Sequence, residues 1–165
     1  MYNKPMNELQ EKPLLYLATD HGGFALKEQA KQWLDEWEYE YHDLGANTLD
    51  PDDDYTTYAF PLAEKVSAAF AANPETTVRG VLFCRSGGGM SIAANKVKGV
   101  RAVPVYSAKE AQHARNDNHA NVISLAGDWT TPEIAKQTLK AFLETPGSKE
   151  TRHLRRLAQI ATYKT

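Results

Sequence analysis

Gly80-Val81-Leu82-Phe83-Cys84-Arg85-Ser86-Gly87-Gly88-Gly89-Met90-Ser91-Ile92 decides how this chain is read. The apolar run Val81, Leu82, Phe83 predicts a buried strand. It ends at Cys84, the only cysteine, and a glycine-rich turn then leads into a helical segment. A strand-to-helix turn of this kind leaves a thiol at the carboxyl end of a sheet, beside backbone N–H groups without partners. Anions bind at such places, and a thiol pKa can be lowered there. Three successive glycines allow close approach of backbone to a ligand, yet they match neither a Walker loop nor GxGxxG.

Outward from this segment, strands alternate with helices. Strands are predicted over residues 14–18, 39–44, 78–83, 101–106 and 122–125. Helices are predicted over 24–36, 58–72 (with Pro61 in the first turn), 90–97, 107–115, 132–143 and 151–162. Ser107 with Glu110 forms a capping-box pattern, and Thr131 before Pro132 reads as an N-cap followed by proline at the first helical position. The class is α/β: an open, mostly parallel five-stranded sheet with helices on both faces. Ligands bind outside the carboxyl ends of such strands. The loops expected there are Asp20/His21, Asp43 to Asp54, Cys84 to Gly89 and Asn116 to Asn121.

A chain of 165 residues predicts one domain, over 13–165, after a polar extension over 1–12 that lacks the apolar stretch of a signal peptide. The net charge of −2 gives no reason to expect nucleic acid as a partner, so any anion site must be built locally. The apolar runs are far too short for a membrane span. One cysteine excludes an internal disulfide framework and fits a reducing, cytoplasmic setting.

On residue type and spacing alone, Cys84 is either a general base or a small buried hydrophobe. Asp20 and His21 either touch a ligand or form an Asx-type turn with an exposed histidine. Arg152 and Arg156 share one face of the last helix, opposite Leu154, Leu157, Ala158 and Ala161. They make a phosphate clamp or a solvated basic face, and spacing favours the second. The acidic loop Asp50 to Asp54 has carboxylates for a hard cation but not the spacing of a Ca²⁺ loop, and it reads as solvated. Trp33 and Trp37 read as core or interface.

Taken together, several segments resemble the ribose-5-phosphate isomerase B / galactose-6-phosphate isomerase family. They are Asp20-His21-Gly22-Gly23-Phe24-Ala25-Leu26-Lys27, Asp43-Leu44-Gly45, Asp54-Tyr55, Cys84 to Lys96, Gly99-Val100-Arg101-Ala102, Ala114-Arg115 with Asn118 and Asn121-Val122, and Arg152-His153 with Arg156. The resemblance implies a Rossmann-like three-layer α/β/α sandwich and an aldose–ketose isomerase that needs no metal or organic cofactor. It also implies a homodimer or tetramer with shared active sites, the last helix reaching a partner subunit. Cys84 would carry a proton between C1 and C2 of a phosphorylated sugar through an enediolate. Ser86 and the N–H groups of Gly87, Gly88 and Gly89 would hold the oxyanion. Asp20 would lie near the sugar hydroxyls, His21 near the phosphate, and Arg152 and Arg156 on the phosphate, with Asn118 also in the site.

Three positions depart from the family pattern. Asp117 stands where the family has a ring-opening histidine, Asp128 where it has a phosphate-binding arginine, and Arg85 where a glycine follows the cysteine. A carboxylate about 5 Å from a phosphate costs a few kcal/mol at an effective dielectric near 20. Arg85 is therefore expected to compensate Asp128 and to shift how the substrate's anionic group is held. Asp117 is expected either to replace the histidine as acid/base or to mark an open-chain substrate, such as a tetrose 4-phosphate, that needs no ring opening. The alternatives are an isomerase of an unphosphorylated sugar and a non-catalytic sugar-phosphate binder.

Overall fold

The structure, a computed structural model, describes residues 12–163. Apart from Lys12, the polar extension lies outside the described residues. Five strands form one sheet: β1 (Leu15–Thr19), β2 (Tyr41–Asp43), β3 (Arg79–Cys84), β4 (Ala102–Val105) and β5 (Val122–Ala126). Their order is β2-β1-β3-β5-β4, and every pairing is parallel, where the sequence had suggested a mostly parallel sheet. Helices α1 (Phe24–Glu36), α2 (Tyr55–Ala72), α3 (Gly88–Ala94), α4 (Ala108–Asn118) and α5 (Pro132–Glu144) connect or follow the strands, and α6 (Thr151–Thr162) ends the chain.

Alternation along each strand sends side chains to two cores. Leu15, Leu17, Val81, Phe83, Ile123 and Leu125 pack under α1, α4 and α5. Ala18, Leu82 and Cys84 pack under α2 and α3. All six residues of β3 are buried, as a central parallel strand covered on both faces requires. Trp33 packs into the first core and Trp37 against its edge. No helix among the described residues is long and apolar enough to cross a membrane.

The predicted caps form: Ser107 accepts from the Glu110 N–H and Thr131 from the Ile134 N–H. The helix expected over 90–97 is α3, Gly88–Ala94, and the one expected over 107–115 runs on to Asn118. Two further expectations are corrected. First, α2 begins at Tyr55 rather than Tyr58, so Pro61 sits inside it and not in its first turn. The proline lies on the solvent side, where water can take the carbonyl it leaves without a partner. Second, the Asn116 to Asn121 loop is not at the carboxyl ends of the strands. It enters β5, and the Gly80 N–H bonds the Asn121 carbonyl beside the start of β3. A loop that follows a crossover helix and precedes a parallel strand must lie at that strand's amino end.

Candidate active site

Chain direction changes sides between β1 and β3: α1 leaves to one face and α2 returns over the other. The crevice at such a switch point lies beyond Thr19 and Cys84. Asp20 follows β1 and caps a short 3₁₀ turn, its Oδ1 accepting from the Gly22 and Gly23 N–H groups at 2.9 and 3.2 Å. That turn lies directly on the end of β3. A Cβ on Gly23 would fall 2.3 Å from the Phe83 carbonyl carbon, so only glycine permits the contact. Asp20 is 5 % exposed, and burial pushes its carboxyl above the ordinary range.

Cys84 ends β3 and is itself only 5 % exposed. Its Sγ accepts from the Gly87 N–H at 2.9 Å, with the Ser86 and Met90 N–H groups also directed at it. Gly87 holds φ +82, a left-handed turn that a side chain would strain. The lowering that such a turn can bring does not occur at Cys84. Burial, with the Asp20 charge beside it, outweighs the three donors and pushes the thiol up. Ser86 presents its carbonyl to the Tyr106 hydroxyl at 3.0 Å. The Gly87 to Gly89 turn roofs the sulfur, and Gly89 lies against the Tyr55 ring, 3.0 Å from where its Cβ would be.

His21 flanks this cluster. Its backbone N–H and its Nδ1 both meet Asp53 Oδ1, at 3.1 and 2.7 Å. That bond is the main reason the imidazole titrates above its ordinary value. Asp53 is therefore not a solvated loop residue: its side chain is 6 % exposed. Arg85 Nε lies 3.0 Å from Asp128 Oδ2, so the two departures from the family pattern form one ion pair. The Asp128 N–H also bonds the Arg85 carbonyl.

The remaining candidates lie apart from this cluster, on α4 and α6. Asp117 lies between His113, at 3.2 Å, and His153, at 3.8 Å. Asp117, Asn118 and His113 line a groove of about 910 Å³ along β4 and α4, which Cys84 does not line. Arg152 and Arg156 stand exposed on α6, with Arg152 bonding Glu150 at 2.7 Å. One chain thus brings together Asp20, His21, Cys84, Arg85, Ser86 and Gly87 to Gly89. It keeps Asp117, Asn118, Arg152 and Arg156 apart from them. Sequence reasoning passed over Asp53, Tyr55 and Tyr106. For Tyr55 the Asp54-Tyr55 match was a signal; for Asp53 and Tyr106 only the fold reveals the contact.

The family model of ribose/galactose isomerase matches residues 15–160. Ribose-5-phosphate isomerase B of Mycolicibacterium paratuberculosis is 38 % identical over 90 % of this chain and 90 % of its own length. Among solved structures, ribose-5-phosphate isomerase B from Mycoplasma genitalium with bound ribulose-5-phosphate superposes with a TM-score of 0.83 at 36 % identity, over 91 % of this chain and 95 % of that one. The type B ribose 5-phosphate isomerase of Trypanosoma brucei superposes with a TM-score of 0.81 at 35 % identity, over 93 % and 99 %.

Proposed function

The chain belongs to the ribose/galactose isomerase family, and from that premise we propose that it interconverts a phosphorylated aldose and its ketose with Cys84 as the proton-transferring base. The thiolate takes the proton from C2 of the open-chain aldose, and the C1 carbonyl becomes the oxyanion of an enediolate. The thiol then returns the proton to C1, while the proton of the C2 hydroxyl passes to the C1 oxyanion, leaving a carbonyl at C2 and a hydroxyl at C1. The Ser86 and Gly87 N–H groups hold the sulfur, and those of Gly88 and Gly89, fixed in the same turn, are left for the developing charge at no cost in reorganisation. Asp20, whose carboxyl burial raises above its ordinary range, orients the hydroxyls.

The phosphate needs cations, and within one chain the cluster around Cys84 offers His21, bonded to Asp53, and Arg85, already paired with Asp128. Arg152 and Arg156 come from a second copy in this reading, because α6 lies at the wrong end of its own sheet. The protein then works as a homodimer, or a multiple of one, in the cytoplasm. The Arg85–Asp128 pair cancels the repulsion a bare carboxylate would exert on the phosphate, at the expense of the arginine the family places there. Asp117, with His113 and His153 on either side, serves as acid/base or is idle on a substrate that does not cyclise.

The observation that carries this reading is the thiol at the switch point, bonded by the Gly87 N–H next to Asp20. Its test is turnover of ribose 5-phosphate and of erythrose 4-phosphate by the parent and by Cys84→Ala. The variant is expected to fold as the parent does and to lose about 10²- to 10⁴-fold in kcat. A variant within a few-fold of the parent overturns the role of Cys84. Preference for the tetrose favours the open-chain substrate; preference for the pentose assigns ring opening to Asp117.

A further inference from the structure

At the amino ends of the strands, Arg79, Arg101 and Arg115 line one cavity of about 490 Å³. Arg79 opens β3 and Cys84 ends it, so the cavity lies roughly 16 Å from the thiol at strand spacing. Among the described residues, none of the three arginines makes an ion pair within 4 Å. Their partners are carbonyls at two helix ends. Arg79 Nη1 bonds Phe142 and Leu143, near the end of α5. Arg115 bonds Thr145 and Ala120, and Arg101 bonds Asn118 and His119, at the end of α4.

Those helix ends supply about half a negative charge each. Lys149 adds a cation at the rim, and Glu75 is the one carboxylate in the lining. His119, its Nε2 on the Ser148 carbonyl, is held below its ordinary pKa by burial and adds no charge at neutral pH. Four cations against one carboxylate and two helix ends leave an excess of about two positive charges. Each guanidinium also keeps an N–H-bearing nitrogen that its carbonyl bonds do not use: Nη2 on Arg79 and Arg115, Nη1 on Arg101. Burial and mutual repulsion bring Arg79 down to about 9 and Arg115 to about 10, a strain that a bound anion would relieve.

We infer that this cavity is a second anion site, separate from the Cys84 cluster, which takes the phosphate group of a small molecule between Arg79, Arg101 and Arg115. A dianion matches the charge excess where a single carboxylate does not, and guanidinium forks suit phosphate oxygens. The ligand is either free phosphate or the phosphoryl group of a metabolite.

The test uses the full chain carrying Arg152→Ala and Arg156→Ala, which removes the clamp of the proposed active site. It is titrated calorimetrically with inorganic phosphate and, separately, with ribose 5-phosphate. One anion per chain is expected to bind, about tenfold or more weakly after Arg79→Gln. It should also bind several-fold more weakly after Lys149→Glu, a rim change that leaves the buried hydrogen bonds in place. Equal affinity for the two anions identifies free phosphate as sufficient. Tighter binding of ribose 5-phosphate identifies a phosphorylated metabolite. No binding to the clamp-less chain, or binding that Lys149→Glu leaves unchanged, overturns the site. A parent crystal soaked in tungstate should show the anion at the three guanidiniums; tungstate bound only elsewhere also overturns it.

Discussion

Burial and hydrogen bonding pull on Cys84 in opposite directions. The sulfur faces three N–H groups, but its desolvation and the charge of Asp20 leave the thiol above its ordinary pKa. A base of that kind is scarce at neutral pH, so kcat/KM should rise about tenfold per pH unit from neutrality until the thiol titrates. A profile that levels off below pH ~8 would contradict a raised thiol acting as base. His21 works the other way. Its bond to Asp53 raises the imidazole's pKa, so the cation survives to higher pH and remains available to a phosphate. Asp53→Asn removes the main cause of that shift. It should raise KM several-fold near pH 7.5, leave kcat little changed, and move the pH at which affinity falls to a lower value. An unaltered pH dependence of KM would dissociate His21 from phosphate binding.

Between elements, the ion pair of Lys27 with Asp43 ties α1 to the end of β2. Lys27 is fully buried, with Nζ 2.6 Å from Asp43 Oδ1 and 2.8 Å from the Ala46 carbonyl. Burial alone would push Asp43 up, but Lys27, the Gly45 N–H and Lys31 together hold it below the ordinary carboxylate range. Its folded pKa is therefore the lower one. Its contribution to stability is full above the ordinary carboxylate pKa and is lost as pH falls through the folded value. Asp43→Ala strands a buried ammonium and should cost about 3–5 kcal/mol in denaturant unfolding at neutral pH. A loss under ~1 kcal/mol would mean that water reaches Lys27. At this scale most of the fold was legible. The bounds of α1 and α6 agree with those their periodicity indicates, and the caps at Ser107 and Thr131 form as their residue types require. The start of α2 was not, because Thr56 and Thr57 are weak helix formers that only the packing of the following turn carries. Asp53 looked like one of several solvated carboxylates, since nothing local indicates that His21, 32 residues earlier, comes to meet it. Asn116 to Asn121 was assigned to the wrong end of the sheet; α4 runs on through Asn118, and the polarity of β5 puts the rest at the amino end.

For the molecule as a whole, the division of the candidate site is the dominant fact. α5 buries its apolar stripe, but α6 buries only His153 and leaves Leu154 at 45 % and Ile160 at 61 % exposed. A helix with an apolar stripe that its own chain does not cover, bearing two arginines, suits docking against another copy of the chain. In that arrangement neither copy holds a complete site, and each supplies what the other lacks. Mixing Cys84→Ala with the double variant Arg152→Ala/Arg156→Ala tests this most directly. Each variant alone should be nearly inactive. After the subunits exchange, half the dimers are hybrids with one intact site, and activity should recover to about a quarter of the parent's. If the mixture is no more active than its two components, the thiol and the arginines do not meet across copies, and the shared site is wrong.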